Sequence, residues 1–286
     1  MNSTMKMLTL PSGRAMPALG QGTWYMGEDA AQRKREVQAL QLGLDLGVTL
    51  IDTAEMYADG GAEQVVGEAI AGRRAEVFLV SKVYPHNADR RGAQAACERS
   101  LRRLNTDCID LYLLHWPGAV PLEETLAAFE ALQQAGKIRE FGVSNFDLDG
   151  MQEWSELSGA ASTATNQVLY NLARRGIEWD LLPWCRQRGM PVMAYSPLES
   201  AGRERDQMLG QPALCAIAAR HGASAAQIAL AWLLHQDGVI AIPKAVDPAH
   251  VRENRAALDL KLTAQDLAEI DEAFPPPRRR RSLDMR

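Results

Sequence analysis

Four residues of chemically different types stand close to the ends of short apolar runs. Asp52 follows Val48-Thr49-Leu50-Ile51, Lys82 closes Val77 to Ser81, and His115 follows Leu111-Tyr112-Leu113-Leu114, while Tyr57 falls shortly after Asp52. Each alone has an ordinary explanation: a carboxylate on loop amides, a strand-end lysine in water, a core histidine, a loop aromatic. Brought together on neighbouring strands they form a proton-transfer site. A phenol with a reference pKa of ~10 is a poor donor at neutral pH, and a nearby ammonium lowers that value, each unit being worth ~1.4 kcal/mol. Lys82 is expected to act on Tyr57 in this way, Asp52 to keep Lys82 charged, and neutral His115 to hold a substrate carbonyl. The remaining run ends suit a flat, phosphorylated hydride carrier: Ser144, Asn145 and Gln167 match a carboxamide, Tyr195 a ring face, and Lys244 a phosphate.

Positioning these groups needs a repeated scaffold. Strand-like runs alternate with amphipathic stretches from about residue 18 to 260, the pattern of βα units and a parallel sheet. Eight strands are expected, ending near Gly22, Asp52, Lys82, His115, Asn145, Gln167, Tyr195 and Pro243, spaced by roughly 32 residues, or one βα unit each. Leu122, Leu126, Phe129 and Leu132 after Pro121 predict a helix stopped at Gly136, and Ser224 predicts the cap of a second helix reaching His235. Met7 to Leu10 and Ala15 to Leu19 predict a hairpin that plugs the barrel bottom. An open doubly wound sheet is the rival fold, but Gly20-Gln21-Gly22-Thr23-Trp24 lacks the third glycine of a dinucleotide turn. The fold expected is a (β/α)8 barrel, one domain over residues 1–286, with 275–286 a flexible tail and Arg278 to Arg281 solvated.

Composition narrows the function classes. With 47% apolar residues the 286-residue chain can bury a large core, and a net charge of −5 argues against nucleic acid or membrane as partner. The start carries no apolar stretch of secretory-signal length, and the four cysteines have no CxxC spacing, so a cytoplasmic location is expected. The five histidines form no HxH or HExxH pattern, and no metal is expected.

Gly22-Thr23-Trp24, Ile51 to Tyr57, Val80-Ser81-Lys82, Asp110 to Trp116, Gly142 to Asn145, Asn166-Gln167, Ala194 to Leu198 and Ile242-Pro243-Lys244 occur in this order. Over nearly the whole chain the sequence resembles the aldo-keto reductase superfamily, most of all its bacterial methylglyoxal reductase branch. The resemblance implies that Asp52, Tyr57, Lys82 and His115 are a catalytic tetrad with Tyr57 as general acid. It implies cofactor contacts from Gly22, Thr23, Trp24, Asp52, Ser144, Asn145, Gln167, Tyr195, Ser196, Pro197, Leu198, Ile242, Pro243 and Lys244, and at the adenosine end from Ala245, His250, Glu253 and Asn254. Trp24, Tyr84 and Trp116 would join Tyr57 and His115 in the substrate pocket.

Many NADPH-preferring relatives have a hydroxyl residue at the position of Ala245 and an arginine at that of His250. NADPH is therefore expected with tolerance for NADH, unless Arg252 or Arg255 compensates. The function expected is reduction of small aldehydes and dicarbonyls by a monomer. The rivals are a Schiff-base aldolase using Lys82 or Lys244 and a cofactor-binding redox sensor without turnover.

Overall fold

The computed structural model describes residues 5–286, so the first four residues of the expected domain lie outside the described residues. Strands β1 (Met7–Thr9) and β2 (Ala15–Pro17) pair antiparallel with Leu8 opposite Met16. Eight further strands follow: β3 (Gly20–Gly22), β4 (Leu50–Asp52), β5 (Phe78–Val83), β6 (Ile109–Leu114), β7 (Ile138–Ser144), β8 (Asn166–Leu169), β9 (Val192–Tyr195) and β10 (Val239–Ala241). They pair in chain order from β3 to β10, every pair parallel. The sheet closes on itself where the Ala241 N–H donates to Ala18 O (2.9 Å) and the Gly22 N–H to Pro243 O (3.1 Å). This is the expected (β/α)8 barrel.

Helices α1 (Arg33–Asp45), α2 (Gly61–Ala69), α3 (Arg90–Leu104), α4 (Leu122–Gln134), α5 (Leu148–Ser155) and α6 (Leu181–Gln187) each link one strand to the next. Three helices, α7 (Arg203–Leu209), α8 (Pro212–His221) and α9 (Ala225–His235), fill the longer interval before β10, and α10 (Pro248–Ala256) and α11 (Ala264–Ala273) follow it. Helix α4 starts directly after Pro121 and buries Leu126, Phe129 and Leu132. The α9 cap is reciprocal: the Ser224 hydroxyl accepts from the Gln227 N–H and the Gln227 side chain accepts from the Ser224 N–H.

The barrel strands are buried on both faces, which explains their near-continuous apolar character. Outward-facing residues pack under the helices, while Leu50, Val80, Leu111, Leu113 and Ile240 fill the interior together with Leu10 and Met16 of the hairpin segment. The hairpin thus plugs the barrel from below, and Arg14 pins it by donating to Asp110 (3.2 Å).

The expected strand ends are met to within two residues. Strand β8 continues past Gln167 to Leu169, so Gln167 lies inside the ladder, opposite Ser144 and Met193. Arg278 to Arg281 are exposed, and within residues 275–286 Arg280 pairs with Asp149 (2.7 Å) and Asp180 (3.1 Å), and Asp284 with Arg174 (3.5 Å). These partners lie far away in sequence, so the arginine run by itself does not show the pairs. Among the described residues no helix is long and apolar enough to cross a membrane.

Candidate active site

Lys82 is inside the barrel wall with no exposed surface. Its ammonium donates to Asp52 Oδ2 (2.8 Å), to Thr53 O (2.9 Å) and to the Tyr57 hydroxyl oxygen (3.0 Å). An ammonium has three hydrogens, and three acceptors use them. Asp52 is held from its other side by Gln167, whose Nε2 donates to Oδ1 (2.8 Å). His115, at the end of β6, meets Tyr57 edge-on with ring centroids 5.8 Å apart. The parallel register makes this meeting possible by setting Gly22 beside Asp52, Asp52 beside Val80, and Val83 beside Leu114.

The turn carrying Tyr57 has an uncommon backbone. Ala58 (φ 51°, ψ 37°), Asp59 (φ 50°, ψ 42°) and Gly60 (φ 87°) are consecutively left-handed. That conformation costs a non-glycine residue roughly 1–2 kcal/mol. The surrounding contacts must hold it.

The electrostatics differ in one respect from expectation. Burial pushes the Tyr57 phenol up, Lys82 pulls it back and Asp52 pushes it up again, leaving it above the usual tyrosine value. The lysine therefore offsets burial without overcoming it, and the phenol stays protonated at neutral pH. For Lys82 burial acts downward, but Asp52 and Tyr57 act upward more strongly, so the ammonium stays charged. His115 is lowered to about 2 by burial and by the Lys82 charge, so its imidazole is neutral.

Above these groups lies a cavity of about 540 Å³. Its walls include Asp52, Tyr57 and His115 of the four, with Lys82 lying beneath. At one side the amides form a network: the Tyr195 hydroxyl donates to Asn145 Oδ1 (2.9 Å), Asn145 Nδ2 to His115 O (3.0 Å), and Ser144 Oγ to Gln167 O (2.8 Å). At the other end stand exposed Lys244 and His250 with half-buried Ala245.

The Aldo/keto reductase family profile matches residues 18–274. The chain belongs to this family. It is 59% identical to methylglyoxal reductase YeaE of Escherichia coli, over 98% of this chain and 99% of that protein. It is 34% identical to the glyoxal reductase of Bacillus subtilis, over 92% of this chain and 90% of that one. Among solved structures, an aldo/keto reductase from Klebsiella pneumoniae in complex with NADP and acetate superposes with a TM-score of 0.96 at 54% identity, covering 99% of this chain and 100% of the other.

Most residues expected at the cofactor line this cavity: Gly22, Thr23, Trp24, Ser144, Asn145, Gln167, the run Tyr195 to Leu198, and Ile242 to Ala245 with His250. Glu253 and Asn254 do not, because they lie one turn further along α10, some 5 Å beyond His250. Arg255 cannot stand in for the missing guanidinium, since it is buried and donates to Leu46 O (3.2 Å) and Asp259 (3.5 Å). Tyr84 and Trp116 also stay off the cavity wall, pairing edge to face beside it with centroids 5.9 Å apart. Tyr25, stacked on Trp24 at 4.5 Å, and Met56 line the cavity as well. Tyr25, Glu199, Arg205 and Arg286 reach the cavity from loops, a short helix and the chain end, where no periodic pattern signals them. Arg286 donates its N–H to the Tyr195 hydroxyl (3.2 Å), and its guanidinium pairs with Glu199 and Glu204.

Proposed function

We propose that the chain reduces small aldehydes and dicarbonyls, methylglyoxal among them, to alcohols with NADPH, and that Tyr57 supplies the proton. One observation carries this reading. Every hydrogen of the Lys82 ammonium is engaged and the Tyr57 oxygen accepts one of them, so the phenol's own hydrogen must leave on the side away from the lysine. That side is the cavity.

The cavity's donor set fits a nicotinamide dinucleotide. Asn145 and Gln167 carry amides of the type that pair with a carboxamide, Tyr195 offers a flat ring, and Lys244 a cation for phosphate. When the cofactor is bound, its nicotinamide provides the hydride. Everything else falls to this chain. His115 has a buried Nδ1 without a partner, and a bare lone pair there costs less than an unsatisfied N–H, so the proton sits on Nε2. Its N–H then orients the carbonyl oxygen. As negative charge develops on that oxygen, Tyr57 transfers its proton, and the adjacent ammonium stabilises the phenolate left behind. The carbonyl gains one hydride and one proton and becomes an alcohol.

The likeness to a methylglyoxal reductase and a glyoxal reductase supports this substrate class. NADPH is the preferred cofactor and NADH is tolerated, since Lys244 remains while Ala245 brings no hydroxyl and Arg255 is committed elsewhere. The reading includes a cytoplasmic monomer; unpaired cysteines, two of them buried with thiols pushed up to about 12, suit a reducing compartment. The Schiff-base alternative loses support because Lys82 is charged and fully engaged, hence not a nucleophile.

A screen of NADPH consumption over methylglyoxal, aromatic aldehydes, sugars and ketosteroids tests the proposal, with turnover expected on methylglyoxal. Tight NADPH binding without turnover on any of them would favour the redox sensor instead. A lysine adduct trapped by borohydride would restore the aldolase.

A further inference from the structure

The chemistry above needs the Tyr57 oxygen to stay on the Lys82 ammonium, yet Tyr57 sits at the start of a strained left-handed turn. Two buried carboxylates bracket that turn. On the entry side, Glu55 accepts from the Tyr84 N–H (2.8 Å) and Asn87 Nδ2 (3.1 Å), and Arg99 reaches its other oxygen (3.4 Å). On the exit side, Glu63 has no exposed side-chain surface and accepts from Ser81 Oγ (2.7 Å) and Arg103 (3.1 Å). Ser81 is the residue before Lys82 on β5, so Glu63 ties the end of the turn to the strand that carries the ammonium. Arg103 is packed onto Gly60, where a Cβ would come within 2.3 Å of its Nε, so the guanidinium closes over the left-handed residue. None of Glu55, Glu63 or Arg103 lines the cavity.

We propose that the Glu63–Arg103 pair, clamped between Ser81 and Gly60, is the positioning device that keeps the Tyr57 hydroxyl on Lys82. The pair touches neither substrate nor cofactor. It acts by holding the left-handed turn in place relative to β5, and it rests on the assignment of Tyr57 as proton donor. When the clamp is loosened, Tyr57 drifts from the ammonium and loses the one neighbouring charge that lowers its pKa.

The test uses the full-length Glu63→Gln variant, which keeps the volume and removes the charge. NADPH dissociation constants from fluorescence are expected within about 2-fold of the parent, and kcat for methylglyoxal reduction lower by roughly 10- to 100-fold. The alkaline limb of kcat against pH, which reports loss of the phenolic proton, is expected to move to higher pH. Arg103→Met should reproduce both effects, and the double variant should be no worse than either single one, because the two residues act as a unit. Arg103 is partly exposed, so its variant carries the same test if Glu63→Gln does not fold. A normal kcat, or a lowered kcat with an unmoved alkaline limb, would overturn the proposal. Its failure is separable from that of the functional reading, because an active Tyr57→Phe enzyme would remove the proton donor itself.

Discussion

The two ends of the cavity are built by different means. At the proposed reacting end Lys82 and Asp52 are almost wholly buried, each hydrogen bond is made within the protein, and the participating residues come from the adjacent strands β4 and β5, from the turn after β4, and from Gln167 on β8 across the barrel. At the end proposed for the cofactor phosphates Lys244 and His250 are exposed, and the cavity wall also takes Glu199, Arg205 and Arg286 from a loop, a short helix and the chain terminus. The first end is rigid because an unpaired charge there would be costly. Charges at the second are screened by solvent, so substitutions there cost little stability. Chemistry is thus set in the scaffold and affinity in the surface, and substitutions at the two ends should fail in different ways.

The largest contrast concerns Tyr57. Tyr57→Phe is expected to bind NADPH as the parent does while losing ~10²–10⁴-fold in turnover, the range for removal of a general acid. Lys82→Met should lose rate as well, through the phenolate it no longer stabilises. Tyr57→Phe turnover within 10-fold of the parent would erase the distinction between the two ends, because the buried network would then support binding only.

Acid stability is the next consequence of burial. Folded His115 is lowered to about 2, whereas an unfolded imidazole titrates near ~6.5. Between those values the unfolded chain binds a proton that the folded one refuses. Stability is therefore fully present above ~6.5 and falls as pH drops through that window, at up to ~1.4 kcal/mol per pH unit from this residue. Urea denaturation at pH 7 and pH 5 checks it: the parent should lose more stability than His115→Gln over that interval. Equal losses would place the imidazole in contact with water.

The same contrast explains how much of the fold and of the site is legible in the amino-acid sequence. Asp52, Lys82 and His115 terminate apolar runs that can only be buried strands, and parallel closure then forces their ends together; type and spacing suffice. The rim does not work that way. Tyr25 (φ 65°), Ser196 (φ 45°) and Glu199 (φ 60°) take left-handed conformations that their side chains do not announce. Arg174 meets Glu199 and Arg280 meets Asp149 only because the fold returns the chain there. Tyr84 and Trp116, which the family resemblance puts in the substrate pocket, meet edge to face, a pairing set by loop direction that no spacing in the sequence shows. The Glu63–Arg103 clamp is equally hidden, since neither residue stands at a strand end.

The smallest effects belong to the exposed end, and salt separates them from the rest. The screening length shortens from ~10 Å at 0.1 M salt to ~3 Å at 1 M, so charges in water weaken while the buried pair is scarcely touched. Raising salt across that range should loosen NADPH binding by several-fold and NADH binding by less, because only NADPH carries the additional phosphate. Lys244→Met should weaken NADPH by about 10-fold at low salt, the loss of one charged contact, and should flatten the salt dependence. At saturating cofactor kcat should hold steady throughout. Should kcat fall with salt in step with affinity, the two ends would be coupled, and Arg286, which joins the Glu199 loop to the Tyr195 hydroxyl, is the residue through which that coupling would pass.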